Sequence, residues 1–303
     1  MLRIIWFFLA VLSFHSSGPK GVYSMDMTFK TVATDCGVPL SIVQNGNTQG
    51  PAVLFIHGFS QSYLSWEQQL ESELAEQFAL AAFDLRGHGS SGKPHTPESY
   101  TSSRTWACDV NAVINAAGFK TKPVLVGWSW AGFTIMHYVR HYGVENIAGI
   151  NFVGANTALK GPMPTPSPDA RKSMHWLRQM TSTDITENLT GVTTFIDIMT
   201  AKPLPPDIRS SQIISNMMTP AYVRAAMMRD RADNSDIAPA LSVPVLVSHG
   251  TEDAIVPYGA GTSIMSVLPK AALSTYNGVG HAPFLEDPVR FNNELFEFVS
   301  QVN

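Results

Sequence analysis

Val124-Leu125-Val126-Gly127-Trp128-Ser129-Trp130-Ala131-Gly132 sets a short apolar run directly against a serine flanked by small residues, and an amphipathic stretch, 132–141, follows at once. Read locally, this is a buried strand that turns sharply into a helix with the serine at the apex. Strand and helix cross closely there, so the positions two before and two after the serine must be small, and Gly127 and Ala131 meet that demand. Glycine more often stands where Ala131 does, with Gly132 here one position later; alanine is small enough to serve. A serine between small residues is weak evidence alone; the strand before it and the helix after it make the motif specific.

Outward from this element the same alternation repeats. Continuous apolar runs at 52–56, 78–83, 147–153, 243–247 and 273–276 have the length of strands buried on both faces. They alternate with amphipathic stretches such as 100–117 and 289–299, which implies βαβ units. The expected fold class is therefore α/β, a mostly parallel, doubly wound sheet. Ahead of it, 27–43 carries two alternating, β-branched runs around Asp35-Cys36-Gly37, the signal for an antiparallel hairpin opening the sheet. The rhythm breaks over 156–240, where Gly161-Pro162-Met163-Pro164-Thr165-Pro166-Ser167-Pro168 leads into helix-like segments without a buried-strand run. An inserted helical cap is expected there, with 25–155 and 241–303 forming the core. The insert holds eight of the thirteen methionines. Flexible thioethers can line a pocket for varied apolar shapes; for most of them the simpler reading is filling of a small subdomain.

Composition narrows the class. With 45% apolar and 15% charged residues the 303-residue chain lies far from the disordered regime. A formal charge of −4 without a Lys/Arg run gives no footprint for nucleic acid or anionic membrane, and favours a small or neutral substrate. Residues 1–24 read as a secretory signal: a basic start at Arg3, then an apolar run over 4–14 that is too short to span a bilayer. Its removal takes away Arg3 and Lys20 and no acid, leaving 18 basic against 24 acidic residues. A secreted or periplasmic enzyme is expected; the alternatives are a cytoplasmic protein starting at Met25 and an uncleaved anchor. Cys36 and Cys108 are taken as thiols, since nothing in their spacing demands a bridge. Asn188-Leu189-Thr190 is a glycosylation sequon that matters only in a eukaryotic secretory setting.

A serine hydroxyl needs a base within reach and a third group to orient that base. His281 follows the last apolar run in a glycine-rich loop, Gly278-Val279-Gly280-His281, ahead of the closing helix, and fits the base. Asp253 lies just past the run 243–247, in Ser248-His249-Gly250-Thr251-Glu252-Asp253, and fits the orienting acid, with Glu252 its near rival. His88, His137, His141 and His249 read as structural. Donors for a developing oxyanion are expected from the backbone N–H groups of Phe59, in His57-Gly58-Phe59, and of Trp130. Trp128 reads as core beneath the turn and Trp66 as packing of the first helix.

His57-Gly58-Phe59, the loop Asp84-Leu85-Arg86-Gly87-His88-Gly89-Ser90-Ser91, the Ser129 turn, and the Asp253 and His281 loops together resemble the α/β-hydrolase fold family over about residues 27–302. The resemblance implies a Ser129–His281–Asp253 triad, in the family's chain order of serine, acid, histidine. It implies that the 84–91 loop packs structurally near the oxyanion loop. It is closest to lidded esterases, lactonases, carbon–carbon bond hydrolases and cofactor-free haloperoxidases; epoxide hydrolases and haloalkane dehalogenases place an aspartate where Ser129 stands. The expectation is an esterase or lactonase acting through an acyl-enzyme on a small, fairly apolar substrate, with Phe59, Trp130 and Phe284 lining the pocket. Carbon–carbon cleavage, perhydrolase chemistry and a ligand-sensing receptor on the same scaffold remain open. No metal site, cofactor, nucleic acid or membrane-spanning segment in the mature chain is expected.

Overall fold

The computed structural model describes residues 27–35, 37–160, 174–230 and 232–303. The expected leader, Cys36 and the proline-rich stretch 161–168 lie outside the described residues. One eight-stranded sheet organises the chain: β1 Thr28–Ala33, β2 Pro39–Gly46, β3 Ala52–Ile56, β4 Ala79–Phe83, β5 Val124–Trp128, β6 Gly149–Val153, β7 Val245–Gly250 and β8 Ala272–Tyr276, in the order β1-β2-β4-β3-β5-β6-β7-β8. The β1–β2 and β2–β4 pairs are antiparallel and every other pair is parallel. β3, β4, β5 and β6 are buried at every position, as the continuous apolar runs require of strands covered on both faces.

The covering helices fall between the strands. Short turns α1 Glu67–Leu70 and α2 Leu74–Gln77 precede β4, α3 Ser103–Ala117 precedes β5, and α4 Ala131–Tyr142 leaves β5. α3 stops at Gly118, whose φ of 71° is the left-handed conformation that closes a helix most cheaply with glycine. Near the end of the chain come α9 Tyr258–Val267, α10 Pro283–Glu286 and α11 Pro288–Val302. In α11 the Asp287 side chain accepts from the Arg290 N–H, and Phe291, Leu295 and Val299, four residues apart, are buried against the sheet.

Between β6 and β7 the chain forms α5 His175–Met180, α6 Ile185–Ile198, α7 Pro206–Met217 and α8 Ala221–Met227, and contributes no strand to the sheet among the described residues. Asp184 caps α6 by accepting from the Thr186 and Glu187 N–H groups. Met180, Met199 and Met227 are fully buried with Val192 and Phe195, whereas Met218 and Met228 are exposed. Asn188 is buried too: its Nδ2 donates to the Met180 and Ser182 carbonyls and its Oδ1 accepts from Arg224. The sequon is therefore closed to a glycan in the folded protein. No helix among the described residues is long and apolar enough to cross a membrane.

Candidate active site

Because β3, β5, β6, β7 and β8 run parallel, the loops leaving their carboxyl ends gather on one side of the sheet, where α/β folds build their sites. Ser129 stands at the end of β5 with φ 58°, a left-handed conformation rare for a residue with a side chain. Three small residues make the turn possible. A Cβ on Gly127 would come 2.4 Å from the Ile135 Cδ1, one on Gly132 would come 2.4 Å from the Asn156 carbonyl oxygen, and one on Gly58 would come 3.0 Å from the Ser129 Cβ. Gly132 thus answers to the approach of the segment after β6, and Ala131, fully buried, is tolerated where glycine more often stands. Hydrogen bonds fix the apex: Ser129 N donates to the Val153 carbonyl at 3.0 Å, and the Ser129 carbonyl accepts from Gly132 N at 3.0 Å and Asn156 N at 3.2 Å.

The His281 loop after β8 meets the Asp253 loop after β7. His281 Nδ1 lies 2.7 Å from Asp253 Oδ2, with both side chains fully buried. Asp253 Oδ1 accepts from the Ile255 and Val256 N–H groups, each at 2.8 Å. Burial pushes the Asp253 carboxyl up, but the two histidines it touches, His281 and His249, outweigh burial and hold it well below the usual carboxylate range. An ionised Asp253 accepts, so His281 carries its proton on Nδ1. His281 Nε2 is then a bare acceptor, buried and without a hydrogen-bond partner among the described residues. The backbone of His281 is gripped on both sides: its N–H donates to the Met199 carbonyl at 2.7 Å, and its carbonyl accepts from the Trp128 indole at 2.8 Å. Glu252, the near rival for the acid, has an exposed side chain.

The loop after β3 faces the same apex. His57 Nδ1 donates to the Gly58 carbonyl at 2.8 Å while His57 Nε2 accepts from Leu85 N at 3.0 Å. His88 Nε2 accepts from Ser60 N at 3.2 Å, and His88 Nδ1 donates to the Arg86 carbonyl at 2.9 Å. Both rings are neutral structural ties: burial lowers His57 to about 4, against a partial lift from Asp84 and the Gly58 carbonyl, and holds His88 well below its ordinary value. The 84–91 loop is anchored from below by Arg86, whose Nε and Nη2 each lie 2.6 Å from a carboxylate oxygen of Asp109. Above it, neither the Phe59 nor the Trp130 amide donates to an acceptor among the described residues. Trp130 is the residue from which α4 starts, so its N–H also carries the positive end of the helix dipole.

The expectation that Phe284 lines a pocket is corrected. It is fully buried, 4.2 Å from the Trp66 ring by centroids and edge-on to Trp128, and so belongs to the core under His281. Phe59 and Trp130, 6.0 Å apart by ring centroids, keep their places near the apex. Sequence reasoning missed two contacts. Trp128 is buried as expected, yet it holds the His281 loop; His249, taken as structural, puts Nε2 3.1 Å from Asp253 Oδ2 and 2.9 Å from the Val256 carbonyl. Neither contact has a local signal, although His249 at four residues before the acid on one tight loop is a spacing that invites it.

A family model described as the α/β hydrolase fold matches residues 51–288. The chain belongs to that family. Among solved α/β hydrolases it is similar to an esterase from Rhodococcus sp. ECU1013, with a TM-score of 0.80 and 30% identity over 91% of this chain and 100% of that one. It is 27% identical to the non-heme chloroperoxidase of Streptomyces lividans over 89% of this chain and 99% of the relative. It is 25% identical to a bifunctional esterase/perhydrolase of Acinetobacter calcoaceticus over 88% of this chain and 98% of the relative.

Proposed function

We propose that this α/β hydrolase is a serine esterase or lactonase acting through an acyl-enzyme, with Ser129, His281 and Asp253 as its triad. The observation that carries this reading is the 2.7 Å contact between Asp253 and His281 Nδ1, which leaves Nε2 without a hydrogen-bond partner among the described residues, while Ser129 is held at positive φ at the end of β5. His281 Nε2 takes the Ser129 proton as Oγ attacks the substrate carbonyl. The Phe59 and Trp130 amides receive the negative oxygen of the tetrahedral intermediate. His281 then gives its proton to the leaving alcohol, and water, activated by the same nitrogen, releases the acid. Asp253 holds the imidazole in the required tautomer and stabilises the imidazolium that forms.

Phe59, Trp130 and Phe133, with Trp130 and Phe133 edge-on at 5.0 Å, favour an apolar acyl group. The insert helices α5 to α8 act as a cap over the site. Likeness to an esterase and to an esterase/perhydrolase supports carboxylic ester chemistry over amide cleavage. Likeness to a chloroperoxidase and a perhydrolase also favours a second reading of the same acyl-enzyme, in which hydrogen peroxide replaces water and yields a peracid. A panel of p-nitrophenyl esters and lactones, with and without peroxide and halide, separates the two. Ester turnover is expected to fall by several orders of magnitude in Ser129→Ala. Turnover within a few-fold of the parent enzyme would reject the triad.

A further inference from the structure

Among the described residues two arginines are buried essentially completely, and they are treated differently. Arg86 has its carboxylate, Asp109, held bidentately. Arg224, on α8 of the insert, has no carboxylate within ion-pair distance among the described residues. Burying a cation without an opposite charge is costly and persists only where hydrogen bonds and dipoles compensate it. The compensation here is specific. Arg224 Nη1 donates to the Met180 carbonyl at 2.8 Å and to Asn188 Oδ1 at 2.9 Å, and Nη2 donates to the Asn216 carbonyl. Met180 ends α5 and Asn216 is the penultimate residue of α7, so the guanidinium sits on the negative ends of two helix dipoles. Partial charges hold it without cancelling it. Burial lowers its pKa to about 10, so it stays charged near neutral pH.

The remaining contact leaves the insert. Arg224 Nε donates to Ser60 Oγ at 2.7 Å, a pair of fully buried groups 164 positions apart. Ser60 follows Phe59, whose amide is one of the two oxyanion donors, and it holds φ 63° without being glycine. That conformation is fixed from two sides, by His88 on its N–H and by Arg224 on its hydroxyl. The same turn is closed below by the Gln61 N–H on the Gly58 carbonyl at 3.3 Å. From this geometry we infer that Arg224 is a positioning residue for the oxyanion loop: the insert reaches into the core to clamp Ser60, and through it the Phe59 amide. It also sets beside that loop a cation that no carboxylate among the described residues neutralises. An arginine serving only to hold the insert together would gain from a carboxylate partner and would not need the loop serine. The arrangement seen instead ties three insert helices and the oxyanion donor to one guanidinium, so correct closure of the insert and readiness of the oxyanion site become one event.

This inference rests on the acyl-transfer reading above, and its test separates the two. Arg224→Gln, Arg224→Lys and Ser60→Ala are compared with the parent enzyme in saturation kinetics on one p-nitrophenyl ester. Affinity is also measured for a trifluoromethyl ketone, which forms an oxyanion on the serine. Arg224→Gln and Ser60→Ala are expected to lower kcat on the order of tenfold, less than the loss of an oxyanion donor itself, with KM within about twofold. Ketone affinity should fall by the same factor as kcat/KM, a readout that mere loosening of the insert would not match, and Arg224→Lys should recover only part of the loss. Ser60→Ala removes the contact while leaving the insert's own bonds to Arg224, so it carries the test if Arg224→Gln does not fold. A Ser129-dependent enzyme whose kcat and ketone affinity are unchanged within about twofold by Ser60→Ala would overturn this inference alone. A parent enzyme without Ser129-dependent turnover would overturn it together with the acyl-transfer reading.

Discussion

Asp253 uses both carboxylate oxygens: Oδ1 closes its own loop on the Ile255 and Val256 amides, and Oδ2 takes His281 and His249. An asparagine there would keep Oδ1 as an acceptor for the loop but present an N–H₂ to His281, forcing the imidazole to put its proton on Nε2 and lose its role as base. Asp253→Asn is accordingly expected to lower kcat by about three to four orders of magnitude with KM little changed. Stopped-flow or steady-state ester hydrolysis checks this, and a loss below about tenfold would remove Asp253 from the triad. The fully buried Phe284 teaches the converse lesson. An aromatic three residues after the base reads equally well as pocket wall or as core, and only the neighbouring Trp66 and Trp128 rings decide for core.

At the scale of elements, the hydropathy pattern carried most of the sheet, because strands covered on both faces leave short continuous apolar runs. The deviations have physical causes. β7 begins at Val245 because Pro244 has no N–H for the ladder, and it extends through Ser248 and His249, polar residues that hydropathy discounts. Both are buried there because they are bonded, Ser248 Oγ to Asn151 Oδ1 at 3.1 Å and His249 to the Val256 carbonyl at 2.9 Å. The Ser129 turn was legible because its demand for small residues is local. The ties that hold the site together were not. Trp128 to His281 and Arg224 to Ser60 join residues 153 and 164 positions apart, and no periodicity encodes them. The insert was legible as helical and silent as to layout, since its helices pack on one another and on the core through single residues such as Asn188 and Arg224.

Across the whole molecule, two interior histidines, His57 and His88, are held neutral by burial. His57 and His88 are depressed by burial, so they stay unprotonated in the fold after the unfolded chain, with an ordinary value of about 6.5, has begun to take up protons. The unfolded state therefore binds more protons from about 6.5 down to about 4 for His57, and stability falls as pH falls through that window. Each such histidine contributes at most about 1.4 kcal/mol per pH unit there. Thermal melts from pH 7.5 to 5 should show Tm decreasing steadily with acidification. A flat or rising Tm would mean that the two rings ionise within the fold. The same organisation gathers the loops after β3, β5, β7 and β8 around one serine, and the triad is the claim on which the rest depends. Intact-mass measurement after incubation with a fluorophosphonate tests it most directly. The parent protein should gain one adduct at Ser129, Ser129→Ala none, and His281→Ala an adduct only far more slowly. A Ser129→Ala protein labelled as readily as the parent, or a folded parent protein that resists labelling altogether, would contradict it.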